Sequence, residues 1–271
     1  MFLEEIKAIF EKKIAPKLYR RNSEIYGLQY GKKNSNKIIK KIVFTIDLSL
    51  EAIYFALKKK VNLIISHHGL INKPTGYFNQ NLINKLSLLS KFPISIFVLN
   101  SPFIAAEGGI TDTILEALYL KLDKTFNIKN DNGVKVPIGR ICLPKKYPNQ
   151  NQPFKLEDLI KRIKTNLNLE FVSYIGDLEK EIKKICIVGG DSSNKALLTK
   201  VIDKGCDCFI SGRVNYFDAI FARDVGLTLI ETSHYKNEII ALKKICNLLS
   251  LEFPYVEFIL FDSKDPYKTY F

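Results

Sequence analysis

Residues 61–70 read VNLIISHHGL, a short apolar run that stops abruptly at two adjacent histidines and a glycine. A run of four to six aliphatic residues without polar alternation is the pattern of a strand buried on both faces, as in parallel sheets. The neighbouring segments fit that reading. KIVFTID (41–47) is a second apolar strand ending in Asp47, and 49–59 reads as a helix with Ser49 as its N-cap. Residues 81–90 suit a helix, ISIFVL (94–99) a strand, and 110–121 a helix opened by Thr111 and Asp112. Upstream, Leu3, Ile6, Ile9, Phe10 and Ile14 sit near helical spacing over 3–14, and Pro16 ends the run. Strand–helix alternation of this kind implies an α/β fold with mostly parallel sheets.

Residues 123–153 change character. They carry Asn130, Asp131, Asn132 and Gly133, then Pro137, Pro144, Pro148 and Pro153, and read as a linker or insertion between two halves. Alternation then resumes with helix 155–166, a strand near 170–174, strand 183–189, helix 193–203 and strand 206–211. Helix 215–224, strand 227–231, helix 236–249 and strand 255–261 complete the chain. The expected organisation is an N-terminal α/β half over 1–122 and a C-terminal α/β half over 154–271. The last helix and strand are expected to pack back on the first half.

Composition narrows the function classes. The chain has 271 residues, 46% hydrophobic and 25% charged, which is ordinary globular usage. Its five Cys are odd in number and irregularly spaced, with no zinc-finger or secreted disulfide framework. The start, MFLEEIKAIFEKK, is acidic and amphipathic, unlike a signal peptide. No apolar run approaches the roughly 18 residues of a membrane span. The expectation is a soluble, cytoplasmic protein with no membrane partner. The net charge of +13 raises nucleic-acid binding as a minor alternative. However, 35 Lys, 35 Ile and 20 Asn against 6 Arg is the usage that AT-rich codons supply, so a solvated Lys-rich surface explains most of the surplus.

The scarce residue is the informative one. The chain has three His, and all fall at strand ends, where open parallel sheets bind ligands. His67 and His68 follow VNLIIS. His234 follows LTLIE in ETSHYKNE, with Glu238 one helical turn on. Imidazole plus carboxylate is donor chemistry for first-row divalent metals. Asp47 reads either as a ligand or hydrogen-bond acceptor orienting a His, or as an N-cap or turn residue at a strand end. Cys206 and Cys208 read as core thiols. Gly189-Gly190 followed by Asp191-Ser192-Ser193 reads as a tight turn or a phosphate-binding loop.

Taken in order, these strings resemble the GTP cyclohydrolase I type 2 homologue family, also called Nif-three-like dinuclear metal centre proteins. YGLQYG (26–31), TIDLS (45–49), IISHHG (64–69), AAEGGITD (105–112), CFISGR (208–213) and SHYKNE (233–238) correspond to family motifs over nearly the whole chain. The resemblance implies two similar α/β domains with a metal site in the cleft between them, and homo-oligomers, often hexamers. It implies His67, His68, His234 and Glu238 as ligands of one or two divalent cations such as Zn, Mn or Fe. It also implies a nucleotide substrate, GTP, whose purine ring is opened with formate release.

The sequence departs from the family at defined positions. A family Asp ligand falls at Ile104 and a family His at Asn100, while the Glu and His of a later motif fall at Arg213 and Phe217. Isoleucine cannot ligate a cation, and a lost carboxylate removes charge that offsets two ions. The expectation is a weakened or mononuclear site, with Asp47 or Asn100 as substitute or supporting groups. A non-catalytic metal-binding oligomeric scaffold or regulator, with a DNA or protein partner, is the alternative, and a metal-dependent phosphoesterase is a further one.

Overall fold

The computed structural model describes residues 1–21, 24–31, 38–145, 152–191 and 194–268. Pro148, Ser192 and Ser193, the last of these opening the helix expected at 193–203, lie outside the described residues. In chain order the first elements are α1 (Leu3–Ile9), a π-helical turn (Phe10–Ile14), a 3-10 turn (Lys17–Tyr19), β1 (Gly27–Tyr30), β2 (Lys41–Thr45) and α2 (Leu50–Lys58). Then come β3 (Leu63–Ser66), α3 (Gln80–Ser90), β4 (Ser95–Val98), α4 (Asn100–Ala105), α5 (Ile110–Ala117), β5 (Leu120–Lys129), β6 (Lys135–Pro144) and α6 (Leu156–Asn166). The remainder are β7 (Ser173–Ile175), β8 (Ile185–Val188), α7 (Lys195–Asp203), β9 (Cys208–Ser211), α8 (Tyr216–Asp224), β10 (Thr228–Glu231), α9 (His234–Glu252) and β11 (Glu257–Leu260). The fold is α/β with mostly parallel strands. Among the described residues, no helix is long and apolar enough to cross a membrane.

The chain divides into two compact units. One comprises Met1–Gly109, Lys129–Val134 and Ile239–Phe271, and the other Ile110–Ile128 and Lys135–Glu238. The first unit holds a five-stranded sheet in the order β1-β4-β3-β2-β11. Strands β4, β3, β2 and β11 are parallel, and β1 is antiparallel to β4 at the edge. Successive residues of β2 point to opposite faces, and both faces are covered. Val43 packs in one layer with Ile53, Ala56, Ile64, Leu89 and Ile96. Phe44 lies on the other face, with its ring centroid 6.1 Å from that of Phe10, which also meets Phe97 at 5.7 Å. This double burial is why the strands read as unbroken apolar runs. Helix α2 starts where Ser49 Oγ accepts from the Ala52 N–H at 3.0 Å.

The second unit holds a six-stranded sheet in the order β5-β6-β8-β9-β10-β7. Its centre, β8-β9-β10, is parallel, while β6 and β7 run antiparallel to their neighbours β8 and β10. Residues 123–153, read as linker or insertion, contain most of β5 and the whole of β6. Five consecutive residues of β5, Lys121–Thr125, are exposed, so the strand lacks the apolar run that marks the others. The Asn-rich stretch is the turn between the two strands. Asn130 Oδ1 accepts from the N–H groups of Asn132 and Val134, and Gly133 takes a left-handed φ of +75°. Strand β1, helix α4 and the π-helical turn are further elements that the sequence does not mark out.

Candidate metal centre

In the first unit, the parallel ladder extends past the strand ends and fixes the histidines. The His67 N–H donates to Thr45 O at 3.0 Å and the His68 N–H to Ile46 O at 2.8 Å. On the other side, Leu99 N–H donates to Ser66 O and Asn100 N–H to His67 O. The backbone of both histidines is therefore held by β2 and β4 before any ligand arrives. His67 is 1% exposed, and the two imidazole centroids lie 4.7 Å apart. Phe103 approaches His67 edge-on at 6.2 Å. Asp47 Oδ1 lies 2.8 Å from His68 Nδ1. A carboxylate is an acceptor, so this contact places the proton on Nδ1 and turns the Nε2 lone pair outward as the donor atom. The capping role open to Asp47 belongs instead to Ser49.

Asn100 sits in a left-handed conformation, φ +47°, and its Nδ2 donates to Ile25 O at 3.0 Å. That bond ties its side chain to the segment before β1. Ile104 is buried in α4 at 7% exposure. An important group that sequence reasoning misses is Gln29 of β1. Its amide donates to Ile71 O at 2.9 Å and accepts from the Leu70 N–H at 2.6 Å, clamping the loop after the histidines. A Cβ on Gly69 would lie 2.8 Å from Ile71 O, so this close return of the chain requires glycine.

In the second unit, His234 opens α9 and Glu238 lies one turn later. His234 Nε2 is 3.0 Å from Glu238 Oε1, and Glu238 is 0% exposed. Water cannot stabilise a carboxylate so enclosed, and it calls for a cationic counterpart. Neighbouring groups lock the turn that carries the pair. Ser233 Oγ accepts from the Lys236 N–H at 3.2 Å. Asn237, fully buried, donates from Nδ2 to Gly189 O at 3.1 Å and Thr232 Oγ1 at 2.8 Å. Thr232 Oγ1 in turn donates to Ser211 O, and Ser211 Oγ donates to Gly190 O. The carboxyl ends of β8, β9 and β10 are thus stitched to the first turn of α9. Asn237 is another group that sequence reasoning passes over; only its place beside Glu238 marks it.

In the Gly189-Gly190 turn, both carbonyls accept from protein partners and the Gly189 N–H donates to Thr111 Oγ1 at 3.2 Å. Asp112, from the AAEGGITD string, makes a two-pronged ion pair with Arg140, at 2.6 and 3.0 Å. Arg213 is exposed, and Phe217 is 81% exposed with its ring against Tyr216. Cys206 and Cys208 are buried free thiols.

The donor sets fit a divalent cation: two adjacent imidazoles, one oriented by a carboxylate, and a buried carboxylate beside a third imidazole. The chain is 28% identical over 272 residues to the GTP cyclohydrolase 1 type 2 homolog of Clostridium perfringens, covering 99% of each chain. It is 25% identical over 241 residues to the protein of that name from Methanocaldococcus jannaschii, covering 89% of this chain and 92% of the other. Among solved structures, reduced HcgD from Methanocaldococcus jannaschii superposes with a TM-score of 0.79 at 26% identity, covering 97% and 98% of the two chains. A Bacillus cereus protein related to NIF3 superposes with a TM-score of 0.82 over 98% of each chain, at 17% identity, and so speaks for the fold. The model of the Duf34/NIF3 (NGG1p interacting factor 3) family matches residues 1–266, and the chain belongs to that family.

Proposed function

We propose that this protein is a metal-dependent hydrolase in which His67, His68, His234 and Glu238 together hold one divalent cation. The observation that carries the reading is the pairing of donors with groups that orient or enclose them: Asp47 on His68 Nδ1, and the buried Glu238 beside His234. Three imidazoles and a carboxylate would supply four protein donors, and a five-coordinate ion would keep one position open for water. Ile104 adds no donor where the family resemblance has a carboxylate, which is the reason for one ion rather than two. When bound, such an ion supplies Lewis acidity and makes water a stronger acid near neutral pH. The chain's own residues do the rest. Asp47 holds the His68 tautomer, His67 keeps its ring out of bulk water, and the Asn237–Thr232–Ser211 network fixes the helix turn that presents His234 and Glu238.

The relatives' name makes GTP the first substrate to test. Formate release from GTP that requires added divalent metal and disappears in His68→Ala is the expected outcome. Turnover of phosphate esters without formate release assigns the site to phosphoester hydrolysis instead. A second reading, a metal-binding oligomeric scaffold or regulator, is favoured by the positions Ile104, Arg213 and Phe217, which carry no metal-ligating or acid–base group. A bound ion with no turnover of either substrate supports it and rejects the hydrolase.

A further inference from the structure

The loop after the two histidines closes over a second feature, a cavity of about 210 Å³ in the first unit. Leu70, Ile71, Thr75, Tyr77, Asn81 and Lys85 are among its walls. Its position is set by the chain. Leu70 and Ile71 are the second and third residues after His68, and Gln29 pins both by their backbone groups. Leu70 and Ile71 are therefore held in place, while Thr75, Tyr77 and Asn81 are exposed at the rim. Thr75 is satisfied within the loop: its hydroxyl donates to Tyr77 O at 2.7 Å and accepts from the Tyr77 N–H at 3.2 Å.

Among the described residues lining the cavity, Lys85 alone carries a formal charge. It projects from α3 and makes no hydrogen bond or ion pair with the described residues, and the Asn81 amide is likewise uncommitted. Burial pushes the Lys85 ammonium below the usual lysine range, and the nearby Asp47 carboxylate opposes that shift. Asp47 is the same carboxylate that orients His68. A partly desolvated ammonium, flanked by an amide and facing a cavity with no carboxylate in its walls, is a seat for an anion.

We infer that this cavity seats a phosphate group of the molecule on which the metal centre acts, with Lys85 as its counter-ion and Asn81 as a hydrogen-bond donor. The inference rests on the proposed metal-centre reading and names the substrate class for it: a phosphorylated small molecule, its reacting portion lying toward His68. A phosphate on a nucleotide and free inorganic phosphate share this chemistry, so both serve as probes.

The test is calorimetric titration of the full-length protein with inorganic phosphate, then with GTP, in metal-loaded and metal-depleted states. Wild type, Lys85→Met and Lys85→Arg are compared, with metal content measured for each. Phosphate is expected to bind wild type in both states. Lys85→Met is expected to bind about tenfold more weakly, as loss of a charge-assisted hydrogen bond implies. Lys85→Arg is expected to retain most of the affinity, and all three to load metal equally. GTP binding that weakens in Lys85→Met in parallel assigns the seat to the nucleotide's phosphates. Phosphate binding without such a loss for GTP leaves free phosphate as the occupant and overturns the substrate assignment. No binding to wild type, equal binding to Lys85→Met, or binding that vanishes with the metal overturns the cavity itself. Failure to load metal with Lys85-dependent phosphate binding intact counts against the metal-centre reading alone.

Discussion

At the level of single residues, His68 and Asp47 show how little is needed to turn an imidazole into a ligand. The carboxylate takes Nδ1 at 2.8 Å, and the ring is left with one donor atom and one orientation. Asp47→Asn keeps the shape and removes the charge. It is expected to weaken metal affinity by about 10–100-fold, the usual effect of losing an outer partner of a metal-bound His, measured by chelator competition. Unchanged affinity would mean that Asp47 plays no part in orienting the ring. The histidines and Glu238 are legible in the sequence because His is rare in this chain and sits at strand ends. Lys85, Gln29 and Asn237 are not. A lysine among 35, or an amide without a motif, acquires meaning only when the loop folds back over it.

Secondary-structure elements carry the next level. The glycine pair at 108–109 forms the turn that leaves α4, with Gly108 at φ +70°. A Cβ on Gly109 would lie 2.0 Å from Phe103 O, a backbone atom that cannot swing aside. Gly109→Ala is therefore expected to cost about 1–3 kcal/mol, at the upper end of that range, in denaturant unfolding. Asn237→Ala removes two buried hydrogen bonds that hold the ends of β8 and β10 to α9. A loss of about 1–3 kcal/mol is expected, together with faster hydrogen exchange at backbone amides of the Gly189-Gly190 turn. The strands that the sequence announces, such as LIIS, ICIV and CFIS, are buried along their whole length. Strand β5 is hidden because its neighbours cover little of it, so its side chains are free to be Lys, Asp and Thr. Helix α4 is hidden by Pro102, which is tolerated in a first helical turn where no N–H bond is lost.

For the molecule as a whole, buried thiols set an alkaline limit. Burial pushes Cys142 up to about 12 and Cys246 up to about 11, above the value of about 8.5 for a thiol in an unfolded chain. A folded-state value raised above the unfolded one contributes stability that is complete below the unfolded value. That contribution is lost as pH rises toward the folded one. Unfolding free energy is therefore expected to fall from about pH 8.5 upward, and to fall less in the Cys142→Ala, Cys246→Ala double variant relative to its own neutral-pH value. Denaturant titrations across that range read it directly. A pH profile identical in the two proteins would remove the thiols as the cause.

The most direct measurement of the metal centre is anomalous scattering from crystals of the purified, metal-supplemented protein, collected at the absorption edge of the ion found by elemental analysis. One strong peak per chain is expected, with His67, His68, His234 and Glu238 as its protein ligands. No peak at those residues after supplementation, or a peak elsewhere in the chain, would contradict the assignment of the site; two full peaks would contradict the single-ion stoichiometry that Ile104 implies.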